Sequence, residues 1–151
     1  MTAGAPEVPP EGTVLVSETG NGKFQQSVVA GRHRFLADEP VAVGGGDTGP
    51  GPYDLLLAAL GSCTAMTIRL YAERHAIPLA HVAVSLRHER VHEEDAAREG
   101  KTRLERISRE IQLEGELSVA DRARLIDVAN RCPVHRTLTG NVEIRTREIA
   151  G

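Results

Sequence analysis

Residues 52–79 read PYDLLLAALGSCTAMTIRLYAERHAIPL, an apolar run with a cysteine at its middle. Pro52 suits the first turn of a helix, where its missing N–H is not needed. Pro78 cannot continue a helix, so the run predicts one long helix from about residue 52 to 75. Leu55, Leu56, Leu57, Leu60, Met66, Ile68 and Leu70 lie on all its sides, which predicts a central helix wrapped by other elements. Its weakly polar part, residues 54–69, is shorter than the ~20 residues a bilayer span needs, so it reads as a buried helix and not a membrane segment.

The segments on either side read as strands and turns. TVLVSE (13–18) alternates, TGNG (19–22) supplies turn glycines, and KFQQSVVA (23–30) and RHRFLA (32–37) follow, which predicts a three-stranded antiparallel meander. DEPVAVGGGDTGPGP (38–52) is rich in Gly and Pro and reads as a loop without regular structure. Beyond the helix, HVAVSLRHERV (81–91) puts Val82, Val84 and Leu86 on one strand face. In residues 102–114, Ile107, Ile111 and Leu113 share a strand face, so a second hairpin across a polar turn at 92–100 is preferred, although Glu105 with Arg109 and Leu104 with Ile111 also fit helical spacing over 102–111. Ser118 and Asp121 open a second helix as a capping pair, with Val119, Ala123, Leu125, Ile126 and Ala129 mostly on one stripe and Cys132 at its C-terminal end. VHRTLTG (134–140) makes a turn or short helix, and NVEIRTRE (141–148) closes as a final strand. The order is βββ, helix, ββ, helix, β: an α+β fold with the helices against antiparallel sheet.

At 151 residues the chain fits a single domain over 12–151, preceded by a Pro-rich disordered lead at 1–11. The lead lacks the basic start and apolar segment of a signal peptide, and the expected location is the cytoplasm. A net charge of −3 with two Phe, two Tyr and no Trp lacks the cationic, aromatic surface of nucleic-acid binders. Two cysteines in such a chain are more often free thiols than a structural bridge.

For Cys63 the ordinary reading is core packing, because unpaired cysteine behaves as a small hydrophobe. Its company argues for more: Gly61 and Ser62 keep the approach narrow, and Thr64 and Thr67 add hydroxyls. Cys132 reads ordinarily as a helix-end residue, but in CPVH the imidazole of His135 stands three residues beyond the sulfur, and a thiolate needs a nearby cation or donor. Metal binding is a weaker reading. Structural zinc wants four N/S ligands in close clusters, and C-x-x-H is the only short one. His88 and His92 on a strand would stand about 13 Å apart. His33 and Arg34 face either a pocket or water.

GPYDLLLAALGSCTAMTIRLYAERHAIPL, followed by CPVHRTL and a closing VEIRT, resembles the OsmC/Ohr family of osmotically induced and organic hydroperoxide resistance proteins over residues 12–148. It looks most like the OsmC-like branch that also occurs fused behind α/β-hydrolase domains, although no G-x-S-x-G elbow is present here. The resemblance implies an intertwined homodimer in which antiparallel sheets enclose the long central helices, with paired sites at the subunit boundary. It further implies reduction of organic hydroperoxides without a cofactor. Cys63 matches the cysteine that attacks the peroxide and becomes a sulfenic acid, and Cys132 the one that condenses with it to a disulfide. An external dithiol, typically a lipoylated protein, resets the pair.

The peroxidase branch of the family carries a glutamate ten residues before the attacking cysteine, bonded to an arginine from the N-terminal sheet. Here that position is Tyr53, and the nearest acid is Asp54. The arginine's place falls near the GNGK turn, where Lys23 is the only cation, with Arg32 and Arg34 later alternatives. Lysine cannot reproduce a planar bidentate fork. Three functional classes stay open: a thiol-dependent peroxidase, a non-catalytic small-molecule-binding or redox-sensing dimer, and a cysteine-nucleophile hydrolase with His135 as the sole sequence-adjacent base.

Overall fold

The structure, a computed structural model, describes residues 8–91, 97, 98, 100 and 104–150. Most of the expected 92–100 turn, including His92, and residues 1–7 of the lead lie outside the described residues. The chain divides into two compact units, residues 1–56 and 57–151.

The first unit is the expected meander. β1 (Val14–Glu18), β2 (Gln26–Ala30) and β3 (His33–Ala37) pair antiparallel in that order, with Val16 opposite Val28 and Val28 opposite Phe35. β2 starts later than the alternation suggested because Thr19 takes Gln25 into the turn, its hydroxyl donating to Gln25 Oε1 at 2.7 Å. Val28, Val29 and Ala37 are buried, whereas Val14, Leu15 and Val16 are exposed. The following loop is stapled by Asp38. Its buried carboxylate accepts from the Thr48 hydroxyl at 2.6 Å and from the backbone N–H groups of Glu39, Gly46 and Thr48. These bonds, that of the Thr48 side chain foremost, hold Asp38 below the usual carboxylate range. The staple winds Val41–Val43 into one 3₁₀ turn, a piece of regular structure where none was expected. Gly49 packs so close that a Cβ there would strike the Leu36 carbonyl.

α1 (Pro52–Arg74) runs as predicted. Its N-terminus has Pro52 in the first turn and is closed by one backbone bond, Asp54 Oδ2 accepting from the Gly51 N–H at 2.9 Å. Its end falls at Ala76, a non-glycine residue in the left-handed region at φ 51°, with the Ile77 N–H on the Ala72 carbonyl. Within the chain only one stripe of α1 is buried, Leu60, Gly61, Thr64, Ile68 and Ala72. Met66 and Leu70 on the other side are exposed. The prediction of a helix wrapped on every side is therefore not met by the described residues of one chain, which supply elements for a single face. At 23 residues α1 is also long and apolar enough to cross a bilayer, contrary to the shorter count from sequence. Here its buried stripe packs on protein instead.

β4 (His81–Val91) and β5 (Leu104–Glu114) form the second hairpin over their full length, Val84 opposite Ile111 and Leu86 opposite Arg109. Ile68, Ala72, Ile77, Leu79, Leu125 and Ala129 make the core of this unit, with Val82, Ile111 and Leu113 of the hairpin against it. α2 (Val119–Ala129) is capped by Ser118, whose hydroxyl accepts from the Asp121 N–H at 3.0 Å. It buries Leu125, Val128 and Ala129, while Val119 and Ile126, assigned to the same stripe from sequence, face solvent. α2 ends at Ala129, and Cys132 belongs to the next helix, α3 (Pro133–Thr139), as its N-cap. The final strand expected at 141–148 is absent. Residues 141–150 carry no regular structure, and Val142 and Ile144 are exposed. Alternation alone makes no strand: the ladder needs a neighbour's N–H and C=O groups, and none among the described residues pairs with this segment.

Candidate active site

Both thiols lie in the second unit and are free. Cys63 sits half-buried on α1. It lines a mostly apolar cavity of about 470 Å³ with Ala59, Met66, Thr67 and Leu70 from its own helix and Pro133 and Val134 from α3. Cys132 is fully buried. Its Sγ accepts the His135 N–H at 3.2 Å, which is the N-cap bond of α3, and lies 3.9 Å from Thr64 Oγ1. The residue after Cys63 therefore touches Cys132, and the two residues after Cys132 line the cavity of Cys63. Helix periodicity and a Pro at the first position of α3 bring two sequence-remote sulfurs onto facing elements.

The group around Cys132 contains a cation that the sequence reading missed. Arg109 of β5 donates from Nη1 to Thr64 Oγ1 at 2.9 Å and to the Ala129 carbonyl at 3.2 Å. Its Nη2 donates to Asn130 Oδ1 at 2.9 Å and meets His135 Nδ1 at 3.4 Å. A guanidinium only donates, so Nδ1 accepts and the ring proton belongs on Nε2. Arg109 thus ties α1, the end of α2 and α3 together over the buried sulfur. The signal was in the alternation: position 109 falls between Ile107 and Ile111 on the inner face of β5, where a charge is out of place unless it has partners.

Arg109, His135, Asn130, Leu60 and Ile107 line a second cavity of about 440 Å³. Glu105 lines it too, paired with His88 at 2.7 Å and with Arg90 at 3.6 Å. Among the described residues no three His, Cys, Asp or Glu side chains come together as a metal site would require.

The other candidates stand in the first unit. Asp54 caps α1 as described, and Tyr53 beside it is half exposed. Lys23 lies over the ring of Phe24, 5.0 Å from its centroid, and Arg32 is exposed in the turn between β2 and β3. None of these four takes part in the bonds around Cys132 given above.

The family model described as OsmC-like protein matches residues 44–147, well over half of the chain. No curated protein matches. Among solved structures, an OsmC-like protein from Mycoplasma pneumoniae is similar at 23% identity, covering 85% of each chain with a TM-score of 0.64. The organic hydroperoxide resistance protein OsmC from Legionella pneumophila matches at 20% identity over 87% of this chain and 90% of its own, TM-score 0.61. OhrB of Bacillus subtilis, also an organic hydroperoxide resistance protein, matches at 18% identity over 87% and 92%, TM-score 0.59. At these identities the structures speak for the fold: α+β, antiparallel sheets with a long helix. With a family model spanning both cysteine motifs, the chain belongs to the OsmC family.

Proposed function

We propose that the protein is a thiol-dependent peroxidase that reduces organic hydroperoxides through Cys63 and Cys132. The observation that carries this reading is the placement of Cys63: a half-buried thiol on an apolar cavity whose far wall is Pro133 and Val134, the residues that follow the second thiol. A cavity of that lining suits the organic part of a hydroperoxide better than hydrogen peroxide. The Legionella and Bacillus proteins are organic hydroperoxide resistance proteins, and the likeness to them points the same way.

In the proposed reaction the Cys63 thiolate attacks the outer peroxide oxygen. The O–O bond breaks, the alkoxide leaves and takes a proton as the alcohol, and Cys63 becomes a sulfenic acid. The Cys132 sulfur then attacks Cys63 Sγ, hydroxide leaves and is protonated to water, and the disulfide forms. An external dithiol, for which a lipoylated protein is the candidate, supplies the two electrons that restore both thiols.

We place the working form as a homodimer. Met66 and Leu70 beside Cys63 are exposed in one chain, and the alternating segment 141–148 pairs with no strand among the described residues. The hydrolase reading is not favoured, because His135 lines the cavity of Arg109 and not that of Cys63.

The test is consumption of cumene hydroperoxide by the purified protein with dihydrolipoamide as reductant. Turnover that is lost in Cys63→Ser supports the proposal. No consumption by the wild type, or consumption that survives Cys63→Ser, overturns it.

A further inference from the structure

We infer that Arg109, acting through the Thr64 hydroxyl, is a positioning residue that makes Cys132 the leaving sulfur when the Cys63–Cys132 disulfide is cleaved, so that the reducing dithiol bonds to Cys63. The inference rests on the disulfide of the reading above and adds the direction in which it is opened.

Two observations carry it. The first is access. Cys63 is half-buried on an open-sided apolar cavity, while Cys132 is buried completely. Within one chain an incoming sulfur has a path to Cys63 and none to Cys132. The second is where negative charge can be held. When a disulfide is attacked, the departing sulfur leaves as a thiolate, and it leaves faster the better that charge is stabilised. The Cys132 sulfur already accepts the His135 N–H, and Thr64 Oγ1 is its other polar neighbour.

The Thr64 hydroxyl has one proton, which it now donates to the Leu60 carbonyl at 2.6 Å. Its oxygen accepts from Arg109 Nη1. Rotation about one bond moves that proton from Leu60 to the sulfur, and the Leu60 carbonyl, one of the helical ladder acceptors of α1, is not orphaned by the change. The guanidinium polarises the hydroxyl toward donation, and none of its four partners named above is a carboxylate, so its charge is not spent on one. Glu105 in the same cavity is engaged by His88 and Arg90.

The balanced step follows. One thiolate of the dithiol attacks Cys63 Sγ, the Cys63–Cys132 bond breaks, and its electron pair goes to Cys132. The second thiol of the reductant then attacks its own sulfur in the mixed disulfide, closes the oxidised ring and releases Cys63. The dithiol loses two electrons and two protons, and the protein regains two thiols.

The test begins from protein oxidised with diamide, so that it does not depend on peroxide turnover. A monothiol, 2-mercaptoethanol, is added, the mixture is quenched in acid, free thiols are alkylated, and the adduct is located by mass spectrometry. The expected result is an adduct on Cys63 in the wild type. Cleavage should be slower by roughly tenfold in Arg109→Met and in Thr64→Val, with partial recovery in Arg109→Lys, the scale of one lost charge-assisted hydrogen bond. Thr64→Val keeps the guanidinium and its remaining bonds, so it serves if Arg109→Met does not fold.

An adduct chiefly on Cys132, or unchanged cleavage in folded Arg109→Met or Thr64→Val, overturns the inference. Equal slowing in Arg109→Lys and Arg109→Met assigns Arg109 a packing role and overturns it too. If diamide yields no disulfide, both this inference and the proposed disulfide fall. If a disulfide forms without hydroperoxide turnover, the peroxidase reading falls alone.

Discussion

Replacing Cys132 by serine and by alanine separates two jobs that one sulfur performs. Cys132 caps α3 by accepting the His135 N–H at 3.2 Å, and it fills a fully buried site beside Thr64. Serine is a strong N-cap, so Cys132→Ser keeps an acceptor for that N–H and leaves only a small deficit in filled volume. Alanine has no acceptor. Loss of the cap costs ~1 kcal/mol, within a range of about 0.5–2. The missing sulfur removes apolar contact equivalent to about one methylene, ~0.8 kcal/mol, plus a term for the space left behind. Cys132→Ala should therefore be destabilised by about 2–3 kcal/mol and Cys132→Ser by about 1 kcal/mol or less. For a chain of this size 1 kcal/mol moves the melting midpoint by roughly 2–4 °C. Calorimetry should place the alanine variant some 4–12 °C below the wild type and the serine variant within about 4 °C. In the peroxidase assay the two should be equally unable to form the intramolecular disulfide. A serine variant as unstable as the alanine one would refute the capping argument, since the sulfur would then be held for its size alone.

Other perturbations test other parts of the structure. Ala76 ends α1 in the left-handed region, where a Cβ costs about 1–2 kcal/mol, so Ala76→Gly should raise stability by about 1 kcal/mol in urea melts after the greater freedom of unfolded glycine is subtracted. Asp38 is held below the usual carboxylate range by Thr48 and the loop N–H groups. A carboxylate lowered on folding stabilises above its unfolded value of about 3.9, and this contribution disappears as pH falls through the lower folded value. Acid melts of Asp38→Asn should accordingly lose part of the steep limb below about pH 4, and identical acid limbs would contradict the staple. Deleting residues 141–150 should convert a dimer to monomer by light scattering while leaving the melt of the remaining core in place; a truncated protein that stays dimeric would refute a role for the segment in assembly.

Local periodicity carried most of the fold. The helix at 52–74, the meander and the second hairpin are each set by a pattern that the segment contains within itself, an apolar run bounded by prolines or an alternation of period two. Residues 141–148 have the same alternation and no strand, because a strand exists only with respect to a neighbour and that neighbour is not in the pattern. The all-round apolar helix misleads for a related reason. Its second face is written in the sequence as plainly as the first, but no element among the described residues covers it.

The site divides along the same line. Cys63 and Cys132 were legible as chemical types, and Pro133 could have marked Cys132 as an N-cap, since proline favours the position that follows one. Arg109 was not found because it was sought by the wrong criterion, as a cation in the N-terminal turns where the family resemblance implied one. The physical criterion was available in residues 107–113, where the inner face of β5 reads Ile, Arg, Ile, Leu. A guanidinium can occupy such a face only if the opposing elements present acceptors, and Thr64, Ala129, Asn130 and His135 are those acceptors. The charge therefore required its partners before any of them was located, and those partners are the groups that surround the buried sulfur.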